Sequence, residues 1–416
     1  MRRGQYIMHA TDFHTNRATA SPKVKLIIHL AFLLLFPGFF FYHTLLGLGI
    51  IGAVLGGYFS PVAFLFTLPF VWVYLLAVKK DNKYFLDLDF YFILYLAYCS
   101  LVLAANFAGG ANKMILQRYV AALIFCVDTY VIFRMIDFKD KLFMVLAALS
   151  LVLMSAITFY FSIDGFFYLK SLDEATNPES LATYQGFARS YIYTFLILIA
   201  VVKFIGVRLL LYGLAIVTLF LNGARSEFSA VLFVLPIIEL YYARNKFYSV
   251  VLVFFLLAWV GLNAEAILGS LPENRILQLF DLSHSSSGVA REQLSREAWH
   301  TITQNPFFGD FGSYADGHYA HNILCAWVDF GLLGLLFLSA LLLWPALHLL
   351  ATGYFSKTKS SEFILAFALI CITILWALTA KSVPDMSVGA ALGAFARYRY
   401  QQGRSGRPVS AVYRLA

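Results

Sequence analysis

The sequence predicts an all-α polytopic membrane protein with about 12 transmembrane helices. Of its 416 residues, 61% are hydrophobic and 13% are charged, which is outside the range of soluble globular proteins. Apolar runs of about 17 to 25 residues recur along the chain, and each is long enough to cross roughly 30 Å of hydrocarbon as a helix. The runs lack the period-two alternation of barrel strands, so helices are expected.

The apolar runs place the predicted spans in chain order. They fall at residues 25–42, 58–78, 86–106, 114–134, 142–162, 190–207, 209–222, 227–243, 247–264, 322–350, 362–380 and 383–397. Residues 43–60 are also apolar, and the breaks in "PGFF" and "GGYFSP" leave a re-entrant segment or a bent helix open. No cleavage pattern separates the basic start from the first span, which is therefore expected to remain in the protein.

The basic residues predict the orientation. Most of the 31 lysine and arginine residues flank spans on one side if both termini are cytoplasmic, as the positive-inside rule expects. Residues 1–416 then form a single membrane domain with two long outer loops, 163–189 and 265–321, the second between the ninth and tenth spans. The basic cytoplasmic tail, 398–416, is expected to contact anionic lipid headgroups. The basic residues that flank the spans account for the net charge of +8, so this charge does not indicate a nucleic-acid partner.

The loop 265–321 contains arginines but no lysine, and its arginines are Arg275, Arg291 and Arg296. A guanidinium is suited to bidentate contacts with phosphate, so these residues are candidates for binding a phosphate group. The alternative is that Glu292 pairs with Arg296 at i,i+4 on a solvated helix. Arg291 and Arg296 would lie about 140° apart on an ideal helix, so one of them is expected to be structural.

Arg225 lies in "NGARSEF", a tight turn between two spans. Asn222 and Gly223 end the first helix, and Ser226 with Glu227 is expected to cap the second. Arg225 either reaches lipid phosphate at the interface or points into an outward-facing cavity that holds a diphosphate. Weaker candidates are predicted at a depth in the membrane similar to that of Arg225, namely Arg118, Arg189 and Lys381.

His321 stands where a polar loop gives way to an apolar run. Its imidazole titrates close to neutrality and is suited to general-base catalysis, although many interfacial histidines are inert. In "DGHYAH", Asp316 and His318 join it at a spacing that could begin a metal site, but no further ligand is apparent. No metal site is therefore predicted.

Three aspartates belong to other parts of the membrane domain. Asp87 and Asp89 fall on the inner side, where the dipole of the helix that they begin is a sufficient explanation. Asp128 lies within a span, either as a buried partner for an arginine or as part of a proton path. The four cysteines have no paired spacing and are expected to be small core residues: Cys99, Cys126, Cys325 and Cys371.

The motifs "NGARSEF", "SSSGVAREQLSREAWHTITQNPFFGDFGSY" and "HNILCAWVDFGLLGL", in this order, resemble the O-antigen polymerase and O-antigen ligase superfamily, bacterial inner-membrane glycosyltransferases of the GT-C type. The resemblance covers about residues 222–335. It implies a periplasmic cavity under the loop 265–321, entered by a glycan on undecaprenyl diphosphate. It matches His321 to the catalytic histidine and Arg225 and Arg291 to diphosphate-binding arginines, while Arg275 and Arg296 are less securely placed. Catalysis without a bound metal or other cofactor is implied.

The resemblance implies an inverting transfer of the glycan from undecaprenyl diphosphate to a sugar hydroxyl at the periplasmic face. The acceptor is a second lipid-linked repeat unit in a polymerase and lipid A-core in a ligase, and "GARSEF" with "YAHNILCAWVDFGLLG" is closer to the polymerase branch. A transporter or lipid flippase is the remote alternative, which predicts essential charges near the membrane midplane. Whether a chain-length regulator binds is left open.

Overall fold

The computed structural model describes residues 22–55, 58–167, 169, 183–270, 272, 276–277, 286–314, 320, 322–356, 358–380 and 384–404. Most of these residues are helical. The helices, numbered in chain order, are α1 (Pro22–Leu33), α2 (Phe39–Gly47), α3 (Phe59–Lys80), α4 (Asp87–Ala108), α5 (Lys113–Met135), α6 (Lys141–Tyr160), α7 (Thr183–Val201), α8 (Ile205–Asn222), α9 (Arg225–Tyr242), α10 (Lys246–Leu262), α11 (Ala264–Ser270), α12 (Ser286–Gln304), α13 (Leu324–Leu349), α14 (Ser361–Thr379) and α15 (Met386–Arg404). A short antiparallel hairpin, β1 (Ser162–Ile163) with β2 (Phe166–Phe167), follows α6.

Eight helical segments of the described chain are long and apolar enough to cross a membrane. They are Pro22–Gly47, Phe59–Lys80, Asp87–Ala108, Lys113–Met135, Lys141–Tyr160, Ile205–Asn222, Leu324–Tyr354 and Ser361–Thr379. The protein is therefore an all-α, multi-pass membrane protein. Four more helices lie where the sequence predicts spans, namely α7, α9, α10 and α15. Within the described residues, each of them is shorter or less apolar than the eight segments above.

The first membrane helix is bent. A π-helical turn at Leu34–Gly38 joins α1 to α2, and it contains Pro37, which has no backbone N–H. The Tyr58 hydroxyl donates to Leu34 O at 3.1 Å inside this turn. The helix ends at Gly47 instead of at the predicted residue 42, so a bent helix accounts for residues 43–47.

Two helices extend into segments predicted as loop or tail. Helix α7 begins at Thr183, within the predicted loop 163–189, because Phe187 packs on Phe40 with ring centroids 4.7 Å apart. Helix α15 continues to Arg404, within the predicted tail 398–416, where the Tyr400 hydroxyl donates to Asp81 Oδ2 at 2.7 Å. Hydropathy locates the apolar part of each helix, whereas these polar and aromatic contacts extend it.

Helix α14 is the most buried of the eight apolar segments, with 67% of its apolar window buried. Beside it, α15 packs closely on α5 because glycines recur four residues apart. A Cβ at Gly389 would collide with Cys126 O, and one at Gly393 with Tyr130 O. The residue numbers rise together along this contact, so the two helices run in the same direction. Small residues at this spacing let membrane helices approach at backbone distance.

The bundle has two polar ends. The end that carries the α8–α9 turn at Gly223, the β1–β2 hairpin and α12 is called the loop end here. At the opposite end, the Arg208 guanidinium donates to both carboxylate oxygens of Glu239, with Nε–Oε1 2.6 Å and Nη2–Oε2 2.8 Å. Tyr212 donates to the same carboxylate at 2.6 Å. This pair joins α8 to α9 by a bidentate contact of the strong kind.

Candidate functional site

Helix α12 is the polar helix of the loop end, and it is held against the start of α13. Ala298 and Ile302 are buried in a small apolar cluster with Cys325 and Val328. The Asn322 side-chain amide lies beside the same helix and donates to Ser295 Oγ at 3.3 Å. The spacing of the buried residues on α12 leaves its charged face toward solvent, as expected for an amphipathic surface helix.

A pocket of about 240 Å³ opens between α12, the residues before α13 and the end of α14. Its lining consists of Arg291, Glu292, Ser295, Ala320, Asn322, Leu378 and Thr379. Ala320 and Asn322 are the chain neighbours of His321. His321 itself lies outside the described residues, as do Arg275, Asp316, His318 and Lys381.

Arg291 is the cation of the pocket lining. Its side chain is half-buried, and within the described part of the chain it forms no hydrogen bond or ion pair. The other polar groups of the lining are one carboxylate, two hydroxyls and one amide, which belong to Glu292, Ser295, Thr379 and Asn322. A guanidinium with free donors can bind an anion such as a phosphate. The Glu292 carboxylate of the same lining is paired with Arg296.

Arg296 is placed differently from Arg291. Its Nη2 donates to Glu292 Oε1 at 2.6 Å, and the two side chains are 79% and 65% exposed. This is the i,i+4 pair that the sequence offered as an alternative to phosphate binding. Of the two arginines on α12, Arg291 lines the pocket and Arg296 does not, which fits their predicted separation around the helix.

Arg225 is the first residue of α9 and is half-buried. The preceding turn is tight because Gly223 has φ +75°, and a Cβ there would collide with the Phe166 ring. The next carbonyl, Ser226 O, accepts from Trp376 Nε1 at 3.0 Å. Because Trp376 lies on α14 less than one turn before Leu378, the end of α14 connects the Arg225 turn with the Arg291 pocket.

A buried charge cluster supports the Arg225 turn. Glu227 is fully buried, with its Oε1 3.6 Å from Arg189 Nε, and Arg189 Nη1 lies 3.5 Å from Asp385 Oδ2. The predicted capping by Ser226 is wrong, because the N-cap is Ala224 and Ser226 Oγ donates to Glu227 Oε2 at 2.6 Å instead. The cluster joins α7, α9 and the residue before α15.

The segment 305–314 is bonded to α13 at a break in that helix. Gly331 has φ +68° and ψ −177°, which interrupts the helix that the sequence predicts as continuous. Across the break, Asp310 N donates to Val328 O at 2.7 Å and Leu332 N donates to Phe307 O at 3.1 Å. These bonds satisfy backbone groups that the interruption would otherwise leave unpaired inside the membrane domain.

Asp329 holds the same segment through its side chain. The carboxylate is 1% exposed and accepts from the Tyr119 hydroxyl of α5 and from Gly312 N, the latter at 3.2 Å. The Tyr98 hydroxyl of α4 donates to Phe330 O at 2.6 Å. Asp329 therefore ties the segment 305–314 to α13, and Tyr119 of α5 holds the same carboxylate, so that α12, which ends at Gln304, is positioned with the segment.

The sequence interpretation missed Asp329, Gly331 and Gly309 as site-positioning residues. Gly309 has φ +69°, and a Cβ there would collide with Val328 O. The available signal was a carboxylate two residues before a glycine, "VDFG", inside an apolar run, because a charged residue at membrane depth requires a partner. Nearby, burial raises the pKa of Tyr314, which packs on the Ala298 cluster.

No protein-family model matches the chain, and a search of curated proteins finds no significant match. Among the described residues, no three histidine, cysteine, aspartate or glutamate side chains form a group able to hold a metal ion. The loop end therefore contains a pocket that is lined by Arg291, by the end of the membrane helix α14 and by the two chain neighbours of His321.

Proposed function

We propose that the protein is an O-antigen polymerase-like glycosyltransferase of a bacterial inner membrane. In this function, it transfers a glycan from undecaprenyl diphosphate to the sugar hydroxyl of another lipid-linked repeat unit. The observation that carries the proposal is the pocket of α12, in which Arg291 is unpaired among the described residues and the neighbours of His321 form part of the lining. The ordered motifs over residues 222–335 supply the reaction class.

The proposed reaction is an inverting displacement. The acceptor oxygen attacks the anomeric carbon, and the electron pair of the breaking carbon–oxygen bond moves to the diphosphate. Arg291 and Arg225 stabilise the negative charge that develops on this leaving group, where little water competes for it. His321 accepts the proton of the attacking hydroxyl. Arg275 remains a weaker candidate for a diphosphate contact, whereas Arg296 pairs with Glu292 on the exposed face of α12 and is assigned no part in the transfer.

The proposed topology has 12 spans, both termini in the cytoplasm and the loop end in the periplasm. It adds α7, α9, α10 and α15 to the eight apolar segments. Reporter fusions test it: alkaline phosphatase is expected to be active when fused after Asn263, and a cytoplasmic reporter when fused after Asn82. The reverse pattern at both positions would contradict the proposed orientation, and activity of one reporter at both would contradict the alternation of spans.

Arg291→Ala is expected to lower kcat/KM for a lipid-linked donor about 100-fold, because one donor to the developing charge is removed. Arg291→Lys keeps the charge but loses the bidentate geometry, and partial activity is expected. The measurement is turnover by purified protein in liposomes. Arg296→Ala is the matched control on the same helix and is expected to stay within about threefold of wild type. Equal loss in both variants would contradict the role of Arg291.

The acceptor is tested by reconstitution with lipid-linked repeat units, with and without lipid A-core. Chains of several repeats on undecaprenyl diphosphate would support a polymerase, whereas product found only on lipid A-core would identify a ligase. Either reaction releases undecaprenyl diphosphate. A transporter or flippase would release none, so this single product separates the enzymatic functions from pure transport.

A further inference from the structure

Asp128 is a carboxyl group buried inside a membrane-spanning helix. It lies in α5 and is 1% exposed. Its Oδ1 has no hydrogen-bond partner among the residues that the structure describes. The sequence left an arginine partner open, but no cation of the described chain forms an ion pair with it, and its polar neighbour is Thr67 of α3.

The hydrogen bonds around Thr67 determine where protons can be. Thr67 Oγ1 lies 3.0 Å from Ala63 O, one turn earlier in α3, and 3.2 Å from Asp128 Oδ2. A hydroxyl carries one proton, and a carbonyl oxygen can only accept. If Thr67 donates to Ala63 O, a hydrogen bond across the 3.2 Å between Thr67 Oγ1 and Asp128 Oδ2 requires a second proton, which the Asp128 carboxyl supplies.

The ionised alternative is costly at this position. Thr67 would have to give up Ala63 and donate to Asp128, and one hydrogen bond from a neutral hydroxyl would then stabilise a full charge at a buried position. The second carboxylate oxygen would remain without a donor in the described region. Buried charges are normally paired and fully hydrogen-bonded, whereas a neutral acid tolerates one unpaired carbonyl oxygen at a much smaller cost.

The titratable side chains of the helices around α5 do not compensate the charge. These groups have other partners or contacts. His29 of α1 pairs with Asp140, and Tyr74 of α3 and Tyr130 of α5 donate to Asp89 of α4. Arg397 of α15 lies over Phe138, and Asp385, just before α15, lies 3.5 Å from Arg189. On α4 and α5, Tyr95, Cys99 and Cys126 are uncharged groups that interact with one another. The surroundings of Asp128 therefore favour its neutral form.

We propose that Asp128 is a proton-binding site that remains protonated at neutral pH. The proton of Asp128 Oδ2 is donated to Thr67 Oγ1, and the proton of Thr67 is donated to Ala63 O, so that this chain links α5 to α3. The site lies in the helix bundle and uses none of the residues assigned to glycosyl transfer. It is therefore independent of the proposed function.

Infrared spectroscopy of the full-length protein in lipid bilayers tests the proposal. The difference between wild type and Asp128→Asn at neutral pH is expected to contain the C=O band of a protonated carboxyl, above the amide I band and shifted in D2O. Asp137→Asn is the matched control. Burial raises the pKa of Asp137, but the hydrogen bonds from Lys25 and Lys139 N and the nearby cations together lower it below its usual value, so this group is ionised at neutral pH. That control is expected to lose only carboxylate bands.

Loss of carboxylate bands alone in Asp128→Asn would overturn the proposal, and so would a carboxylate band that depends on sodium, since it would indicate a bound cation. Thr67→Val provides a second variant if the asparagine protein does not fold. Removing the Thr67 acceptor is expected to move the protonated C=O band to higher frequency, because its hydrogen bond is lost. A spectrum of Thr67→Val identical to wild type would contradict the chain through Thr67.

Discussion

Replacing Gly331 with alanine is expected to destabilise the protein by about 2–5 kcal/mol and to release the segment 305–314 from α13. At φ +68° and ψ −177°, the backbone of Gly331 occupies a region that is nearly exclusive to glycine. The added Cβ would also collide with Phe307 O and with the backbone of Phe308. Both the backbone strain and the collision act where the segment 305–314 is hydrogen-bonded to α13.

The measurements are the thermal unfolding midpoint in detergent and hydrogen exchange of the amides in the segment. Asp310 N and Leu332 N, which donate across the break, are expected to lose protection in Gly331→Ala. Gly213→Ala is the matched control, because a Cβ at this position of α8 has no atom within 4 Å and alanine favours a helix. If both variants behaved alike, the contact at Gly331 would not be the one that holds the segment.

The break at Gly331 also shows what hydropathy predicts and what it does not. The apolar run after Asn322 gave the correct helix, predicted at 322–350 and observed as α13 with a π-helical turn to Tyr354. Glycine is common within membrane helices, so its presence alone does not predict an interruption. The interruption depends on Phe307 O and Asp310 N, whose approach follows from the tertiary fold.

The two arginines of α12 show the same limit at the candidate site. Helical geometry predicted that Arg291 and Arg296 point in different directions, and the Glu292–Arg296 pair was predicted by its spacing. Which arginine faces the pocket could not be predicted, because the pocket is completed by Leu378 and Thr379 of a helix about 80 residues later. Local spacing predicts local pairs, whereas a site between distant elements requires the fold.

Asp89 is a further case, at the opposite end of the bundle. Its place at the start of α4 was correctly attributed to the helix end, since it accepts from Leu86 N at 2.6 Å. However, the same carboxylate also accepts from Tyr74 and Tyr130 and lies 3.7 Å from Arg134 Nη2. Arg134 follows in the next helix, 45 residues later, and no sequence pattern links the two.

Asp89→Ala is expected to destabilise the protein by about 3–5 kcal/mol, because it leaves the Arg134 charge buried without a counter-charge. Arg134 is 2% exposed and its Nη2 donates to Tyr84 O at 2.5 Å. Its Nε and Nη1 already lack a hydrogen-bond partner among the described residues. The rings of Tyr84 and Tyr400 lie over the guanidinium at 4.3 and 5.5 Å and offset only part of the loss.

Arg134→Met is expected to cost less than Asp89→Ala, because the carboxylate keeps three donors, the hydroxyls of Tyr74 and Tyr130 and the amide of Leu86. The double variant Asp89→Ala, Arg134→Met is expected to be more stable than Asp89→Ala alone, since it removes the uncompensated charge and fills its space with an apolar side chain. Unfolding midpoints of the four proteins in one detergent form the cycle. Additive losses would mean that the two residues act separately and that the tyrosines, not Asp89, stabilise Arg134 at the end of the bundle opposite the loop end.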